Sequence, residues 1–172
     1  LVATETVRLR TEVLTAEHQD TMAARLTLGT IQLKLGRIEE AAATLGGTAD
    51  ALERISGTTN SDAIDARFHQ AVALRQSGLH QQSVNLLARV VDDHAREWTE
   101  RHPVHGTYLA ALATGLQLVG DVDGALSRID KAVELGTAIR GPTHINSLIR
   151  RGNALSIRER AGLAPSAAEA KQ

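Results

Sequence analysis

Apolar residues recur along the chain at three- and four-residue steps. They run from Leu26 to Leu35 before Gly36, and from Ile38 to Ile55 after it. Because these steps place apolar side chains on one face of a helix, each stretch is predicted to be an amphipathic helix. The pattern predicts A helices near 19–34, 61–76, 103–118 and 145–160, and B helices near 38–56, 80–98 and 122–139.

The pattern has a period of 42 residues. Four glycines stand one period apart, and five residues after each of them stands a residue no larger than serine. Glycine accepts left-handed or tight backbone, so each is predicted at the turn between an A and a B helix. Each small residue is predicted where the B helix approaches the A helix closely. The glycines are Gly36, Gly78, Gly120 and Gly162, and the small residues are Ala41, Ser83, Ala125 and Ala167.

A third set of positions with the same period marks where each hairpin begins, eighteen residues before the turn glycine. A position repeated in this way reports the scaffold rather than one catalytic site. We therefore expect its residues to pack or to form hydrogen bonds at helix starts. Pro103 and Pro142 are predicted in the first turn of A helices, where proline is tolerated. The set comprises His18, Asn60, His102 and His144.

The two ends of the chain are out of phase with the repeat. Residues 1–14 are predicted to form the tail of a B helix, and residues 163–172 a B helix that is cut short. Because polar capping repeats are missing, we expect a single array over 1–172 that is part of a longer one. Its full repeats are predicted at 17–58, 59–100 and 101–142, with partial repeats at 1–16 and 143–172.

Composition excludes several classes of protein. A content of 42% hydrophobic and 23% charged residues fits a soluble domain or a short repeat array, whereas 2% aromatic residues argue against an all-β fold. The chain has no cysteine, which excludes a disulfide framework, a thiolate nucleophile and a cysteine-based zinc site. No signal-peptide or membrane-spanning segment is evident, so a cytoplasmic protein without a membrane partner is expected.

Residues within the repeats resemble the tetratricopeptide (TPR) family, whose pattern is Leu-Gly in helix A, Gly at the turn and Ala-x-x-x-Phe in helix B. Here the pattern reads Leu28-Gly29, Gly36 and Ala41 with Leu45, and again Leu112-Ala113, Gly120 and Ala125 with Ile129. The start His18-Gln19-Asp20-Thr21 is similar to the 42-residue repeats of kinesin light chains and of many bacterial regulatory proteins. The resemblance implies an all-α, right-handed superhelix (solenoid) of antiparallel helical hairpins.

The resemblance also implies where a ligand binds, because A helices line the concave face of a tetratricopeptide superhelix. That face is expected to combine small and apolar side chains with hydrogen-bonding groups, which suits an extended or helical peptide. Asn153 stands where the family often uses asparagine to hold a peptide backbone. The candidate groove residues are Thr27, Asp65, Phe68, His69, Arg75, Thr114, Gln117 and Asn153.

Catalytic and metal-binding patterns are weak in this sequence. A hydrolase needs a nucleophile, a base and an orienting acid in one pocket, and no motif for that arrangement occurs. His102 and His105 have a spacing that could bind a metal ion, but Pro103 lies between them and no second pair matches. We therefore expect no enzyme activity, no cofactor and no metal site.

Clusters of charge are expected on solvated faces. The pairs Glu39-Glu40 and Asp92-Asp93 are predicted on exposed sides of B helices. Four arginines of the last A helix could attract phosphate or an acidic peptide, although an exposed face of the array is the favoured interpretation. A sequence pI near 6.7 and the scarcity of aromatic residues argue against nucleic acid as the partner. The arginines are Arg150, Arg151, Arg158 and Arg160.

Together these patterns predict a non-catalytic scaffold that binds a protein or peptide, within a larger bacterial regulatory or signalling protein. The alternative is an effector domain whose groove senses a small ligand or peptide and controls an attached catalytic or DNA-binding domain. A structural spacer or oligomerisation array is a third interpretation. Because the end helices lack full neighbours, end-to-end self-association is also expected.

Overall fold

The computed structural model describes residues 2–99 and 102–163. Within these residues the chain forms eight α-helices and no strand, which confirms the all-α class. The predicted bounds of the A and B helices agree with these helices to within two residues at each end. The B helix predicted over 163–172 falls outside the described residues apart from Leu163. The helices are α1 (Val2–Leu14), α2 (Gln19–Lys34), α3 (Ile38–Ser56), α4 (Ser61–Gln76), α5 (His80–Glu97), α6 (His105–Leu118), α7 (Val122–Arg140) and α8 (Ile145–Arg160).

The chain folds as two compact units, one over Leu1–Glu97 and the other over Trp98–Gln172. In the N-terminal unit, α1 to α4 each pack against the next helix along the chain, and α2 also contacts α4. In the C-terminal unit, α7 packs against both α6 and α8. The array over 1–172 and the repeat boundaries given above stay predictions. None of the helices in the described parts of the chain is long and apolar enough to span a membrane.

The turn between each A helix and its B helix is closed by a glycine with positive φ, as the sequence predicts. The φ angles are 73° at Gly36, 79° at Gly78 and 86° at Gly120. The residue after each glycine donates its N–H to a carbonyl five positions earlier, as from Arg37 to Gln32 at 2.9 Å. This bond is typical of the Schellman motif at the end of a helix. The motif requires a positive φ at the glycine, which a residue with a Cβ disfavours.

Side chains of the helix-start positions cap the A helices. His18 Nδ1 accepts the N–H of Asp20 at 3.2 Å, and His144 Nδ1 accepts the N–H of Asn146 at the same distance. Asn60 Oδ1 accepts two backbone N–H groups at 3.0 Å. Because the first N–H groups of a helix lack partners within it, these side chains determine where the helix begins. The expected hydrogen bonding at helix starts is confirmed for these three positions, whereas His102 does not cap α6.

The predicted positions of the two prolines are wrong. Pro103 and Pro142 lie in turns, because α6 begins at His105 and α8 begins at Ile145. In the turn before α6, the N–H of His105 bonds the carbonyl of His102 at 3.0 Å. Before α8, the capping residue His144 follows Pro142 by two positions, so the proline precedes the helix.

Small residues allow the A and B helices to pack closely, as expected. Ala41, Ser83 and Ala125 are fully buried, whereas Ala167 lies outside the described residues. The Leu45 side chain covers Gly29, where an added Cβ would lie 2.5 Å from Leu45 Cγ. The hairpins are therefore held by contacts that leave no space for larger side chains.

Candidate functional site

Five of the eight candidate groove residues lie on two neighbouring A helices of the N-terminal unit. Thr27 lies on α2, and Asp65, Phe68, His69 and Arg75 lie on α4. Since α2 and α4 contact each other, the fold brings these residues onto adjoining helices. Thr27 and Asp65 are exposed and the other three are partly buried. Their role in binding stays a prediction.

His69 has an unusual environment among these residues. Its ring meets that of Phe68 edge to face, with centroids 5.2 Å apart. Burial lowers the pKa of His69, the charge of Asp65 opposes this shift, and the charge of Lys34 adds to it. Since the ordinary histidine pKa is about 6.5, the imidazole is neutral near pH 7 and offers one donor and one acceptor.

The remaining three candidate residues lie in the C-terminal unit. Thr114 and Gln117 are on α6 and partly buried, and Asn153 is on α8 and exposed. Thr114 Oγ1 donates to the Ala110 carbonyl at 3.0 Å, so its hydroxyl hydrogen is used within the helix. Gln117 Nε2 is buried and has no acceptor among residues 2–99 and 102–163. The candidate residues thus form two groups, one in each unit.

The arginine cluster of the last A helix is not the exposed face that was expected. Arg151 is partly buried and Arg160 is exposed, but Arg150 and Arg158 are buried. Arg158 Nη2 contacts both carboxylate oxygens of Asp130 on α7, at 2.6 and 2.7 Å. The prediction is wrong for two of the four arginines because one side of α8 packs against α7.

No group of three or more histidine, aspartate and glutamate side chains in the described parts of the chain is placed to hold a metal ion. Of the two histidines considered for such a site, His102 has another contact, since its Nδ1 accepts the N–H of Val104 at 3.4 Å. Asp93, earlier in the chain, is ion-paired with Arg67 and Arg96.

Solved structures with similar folds were found, although no protein-family model and no curated protein matches the sequence. One is a kinesin-light-chain-type protein of Podosopora anserina with nearly identical TPR-like repeats, which superposes with a TM-score of 0.83 at 19% identity. The match covers 94% of this chain and 76% of that chain. Another is BtubC (BKLC) from P. vanneervenii, with a TM-score of 0.79 at 15% identity, over 94% of this chain and 64% of that chain.

The chain has a tetratricopeptide-like repeat fold. Both matches extend over nearly the whole chain, so the solenoid class predicted from the sequence is confirmed.

This tetratricopeptide-like fold contains a buried ion network that sequence reasoning missed. Arg67 on α4 is ion-paired with Glu53 on α3 and with Asp93 on α5, and its Nη2 donates to the Thr58 carbonyl at 3.0 Å. Asp93 is only 5% exposed, so the expected solvated position is wrong for Asp93. It is right for Asp92, which is exposed.

The repeat pattern carries no signal for this network. One period before and one period after Asp93 stand Ala51 and Leu135, so its carboxylate has no counterpart in the neighbouring repeats. The other predicted acidic pair, Glu39-Glu40, is exposed as expected.

Proposed function

We propose that this chain is a non-catalytic scaffold that binds a protein or peptide segment in the concave groove lined by its A helices. The observation that carries the proposal is the contact between α2 and α4, which places five candidate residues on adjoining helices. Asp65 and Arg75 supply opposite charges, and Phe68 and His69 supply partly buried rings. Such a mixture suits an extended or helical peptide, because apolar contact provides affinity and polar groups fix orientation.

The proposed setting is a larger bacterial regulatory or signalling protein of the cytoplasm. The resemblance to the 42-residue repeats of bacterial regulatory proteins supports this setting. The sequence pI near 6.7 supports a protein partner over nucleic acid. The proposal that the chain is not an enzyme and uses no cofactor rests on the absence of a catalytic motif in its sequence.

One observation favours the alternative of a ligand-sensing effector domain. A cleft of about 390 Å³ lies between α1 and α2, with the candidate residue Thr27 in its wall. Val2, Ala23 and Ile31 make the cleft largely apolar, and Arg10 adds a charge. Its volume falls in the range of small-molecule sites. A protein that senses a ligand there is expected to lose its response when Thr27 is replaced by a large residue such as Trp.

The scaffold proposal is tested once a partner has been captured by cross-linking and pull-down from the source lysate. The partner is then titrated against the original protein and the variants Arg75→Ala and Glu39→Ala. Truncating Arg75 is expected to cost about 1–2 kcal/mol of affinity, because charged anchors dominate binding and their loss leaves a partner group unpaired. Glu39 is the matched control, since it is an exposed charge on the B helix α3. Equal losses for the two variants, or a larger loss for Glu39→Ala, would place the site elsewhere.

A further inference from the structure

The two units differ at one set of equivalent core positions. In the N-terminal unit Met22, Leu52 and Ala63 belong to one buried apolar cluster, and Ala66 is buried as well. Two repeat periods later, the large residues are replaced by glycine and the small ones by serine and arginine. Met22, Leu52, Ala63 and Ala66 correspond in this way to Gly106, Gly136, Ser147 and Arg150.

The glycines make room for the arginine. Arg150 on α8 is 5% exposed and lies against α6 and α7. A Cβ added at Gly106 would lie 2.7 Å from Arg150 Nη1, and a Cβ added at Gly136 would lie at the same distance from that atom. At these distances a side chain at either position would displace the end of the Arg150 side chain, so the two glycines leave room for the guanidinium group where it lies. The sizes of the core residues are thus reversed between the units.

The guanidinium group of Arg150 is only partly satisfied by the protein. Its Nη2 donates to Thr107 Oγ1 at 3.1 Å and its Nη1 donates to the Ala132 carbonyl at 3.4 Å. An arginine side chain has five N–H donors, so three have no acceptor within the described ranges 2–99 and 102–163. The hydroxyl of Ser147, which is fully buried and close to Gly136, also has no partner in these ranges.

The contrast with the other buried arginines is decisive. Arg67 and Arg158 are buried to a similar extent, and each pairs with a carboxylate at 2.8 Å or less. No carboxylate of the described residues lies within 4.0 Å of the Arg150 guanidinium. A buried cation without a counter-ion is costly, because burial removes its hydration and two hydrogen bonds to neutral groups replace it only in part.

Electrostatics near Arg150 are positive. Burial lowers the pKa of Arg150 below its ordinary value, and the charge of Arg140 on α7 lowers it further. A bound anion would oppose this lowering of the pKa, since it supplies the missing opposite charge.

We propose that Arg150, Thr107 and Ser147 form a binding site for one small oxyanion, either a carboxylate or a phosphate. The planar guanidinium fork matches two oxygens of such an anion. Thr107 accepts a hydrogen bond from Arg150, so its own hydroxyl hydrogen can be donated to the anion. Because Thr107 is exposed, an anion reaches the site from its side. The proposal rests on α6, α7 and α8 alone and does not depend on the proposed scaffold function.

The test uses the whole chain with sodium phosphate and sodium acetate as separate probes, titrated at constant ionic strength against chloride. We expect one of the two anions to shift the NMR signal of the Arg150 Nε–H group in a saturable manner. The same anion should raise the urea midpoint, because a ligand that binds only the folded state stabilises it. A response to acetate identifies a carboxylate site and a response to phosphate identifies a phosphate site. The proposal is overturned if neither anion shifts the NMR signal or the urea midpoint at concentrations up to about 100 mM, a hundredfold above a millimolar dissociation constant.

Variants separate this site from general salt effects. Arg150→Met should weaken anion binding, followed by the rise in the urea midpoint, at least tenfold. Arg160→Met is an equal loss of charge at an exposed position of α8 and should leave that rise unchanged. The triple variant Gly106→Met, Gly136→Leu and Arg150→Ala restores the residue sizes of the N-terminal cluster. It should fold and show no anion response, which keeps the test valid even where Arg150→Met fails to fold. A response of the triple variant equal to that of the original chain would overturn the proposal.

Discussion

Arg67 Nη1 donates a hydrogen bond of 2.8 Å to Asp93 Oδ2, and both side chains are almost completely buried. The bond joins α4 to α5, and the ion pair between Arg67 and Glu53 adds α3 to the same network. A charged contact in this position holds three helices of the N-terminal unit in one arrangement. It also makes each member dependent on the others, because an unpaired charge in the interior is costly.

Asp93→Ala is expected to destabilise the chain by about 3 kcal/mol, because it removes one counter-ion of buried Arg67. The effect should fall near the low end of the usual range, since Glu53 still pairs with the arginine. Asp92→Ala is the matched control and should change the free energy of unfolding by less than about 0.5 kcal/mol. Urea unfolding of both variants provides the measurement. Similar midpoints for the two would show that the buried pair contributes little.

Thr15 is strained. Its φ angle is +94°, whereas Gly57 and Gly141, one and three repeat periods later, have φ of +87°. Thr15→Gly is expected to stabilise the chain by about 0.5–1 kcal/mol, because relief of strain exceeds the entropy cost of glycine. Thr4→Gly, inside α1, should instead destabilise it by about 0.3 kcal/mol, the difference in helix propensity between the two residues. Thermal unfolding distinguishes the two, and a loss of stability in Thr15→Gly would contradict the argument.

His69 should titrate below the ordinary histidine pKa of about 6.5, as burial lowers its pKa. Between the two values the unfolded chain binds more protons than the folded chain, so stability rises with pH. The contribution of neutral His69 to the free energy of unfolding is therefore fully present above about pH 6.5. It is lost as the pH falls through the pKa of His69 in the folded chain. NMR titration of the His69 ring measures the shift directly.

Neighbouring charges provide the controls for His69. Asp65→Asn should lower the pKa of His69 further, and Lys34→Gln should raise it, because the two charges act in opposite directions. In His69→Gln, stability between about pH 5 and pH 7 should depend less on pH than in the original chain. A pKa of His69 that does not respond to either neighbour would remove this account of the site.

Self-association through the end helices remains a prediction. Val2 is 83% exposed and Val13 is 78% exposed on α1, and Ile149 on α8 is exposed as well. Exposed apolar patches of this kind commonly find partners, so the chain should form end-to-end dimers at high concentration. Val13→Glu should weaken the dimer, whereas Thr4→Glu, an equal change at an exposed polar position of α1, should have a smaller effect. Light scattering that shows only monomer would count against it.

The helices, their turns and their caps were predictable from the sequence because each depends on residues close together in the chain. A positive φ at Gly36 requires only a residue without a Cβ at that position, and a cap at His144 requires only an acceptor two residues before Asn146. The period of 42 residues then extends each local signal to the next hairpin. The fold class followed from that regularity, as did the placement of the candidate residues on A helices.

The positions of the buried charges were decided by the tertiary structure. Asp93 and Arg150 have the same sequence signal as exposed Asp92 and Arg160, since each belongs to a charged cluster on a helix. Which of these residues is buried depends on which side of its helix faces the adjacent helix. The adjacent helix then supplies either a counter-ion or only the space for the side chain. Asp93 meets Arg67, while Arg150 meets two glycines. A periodic pattern averages over the repeats, so it cannot carry contacts that occur in only one of them.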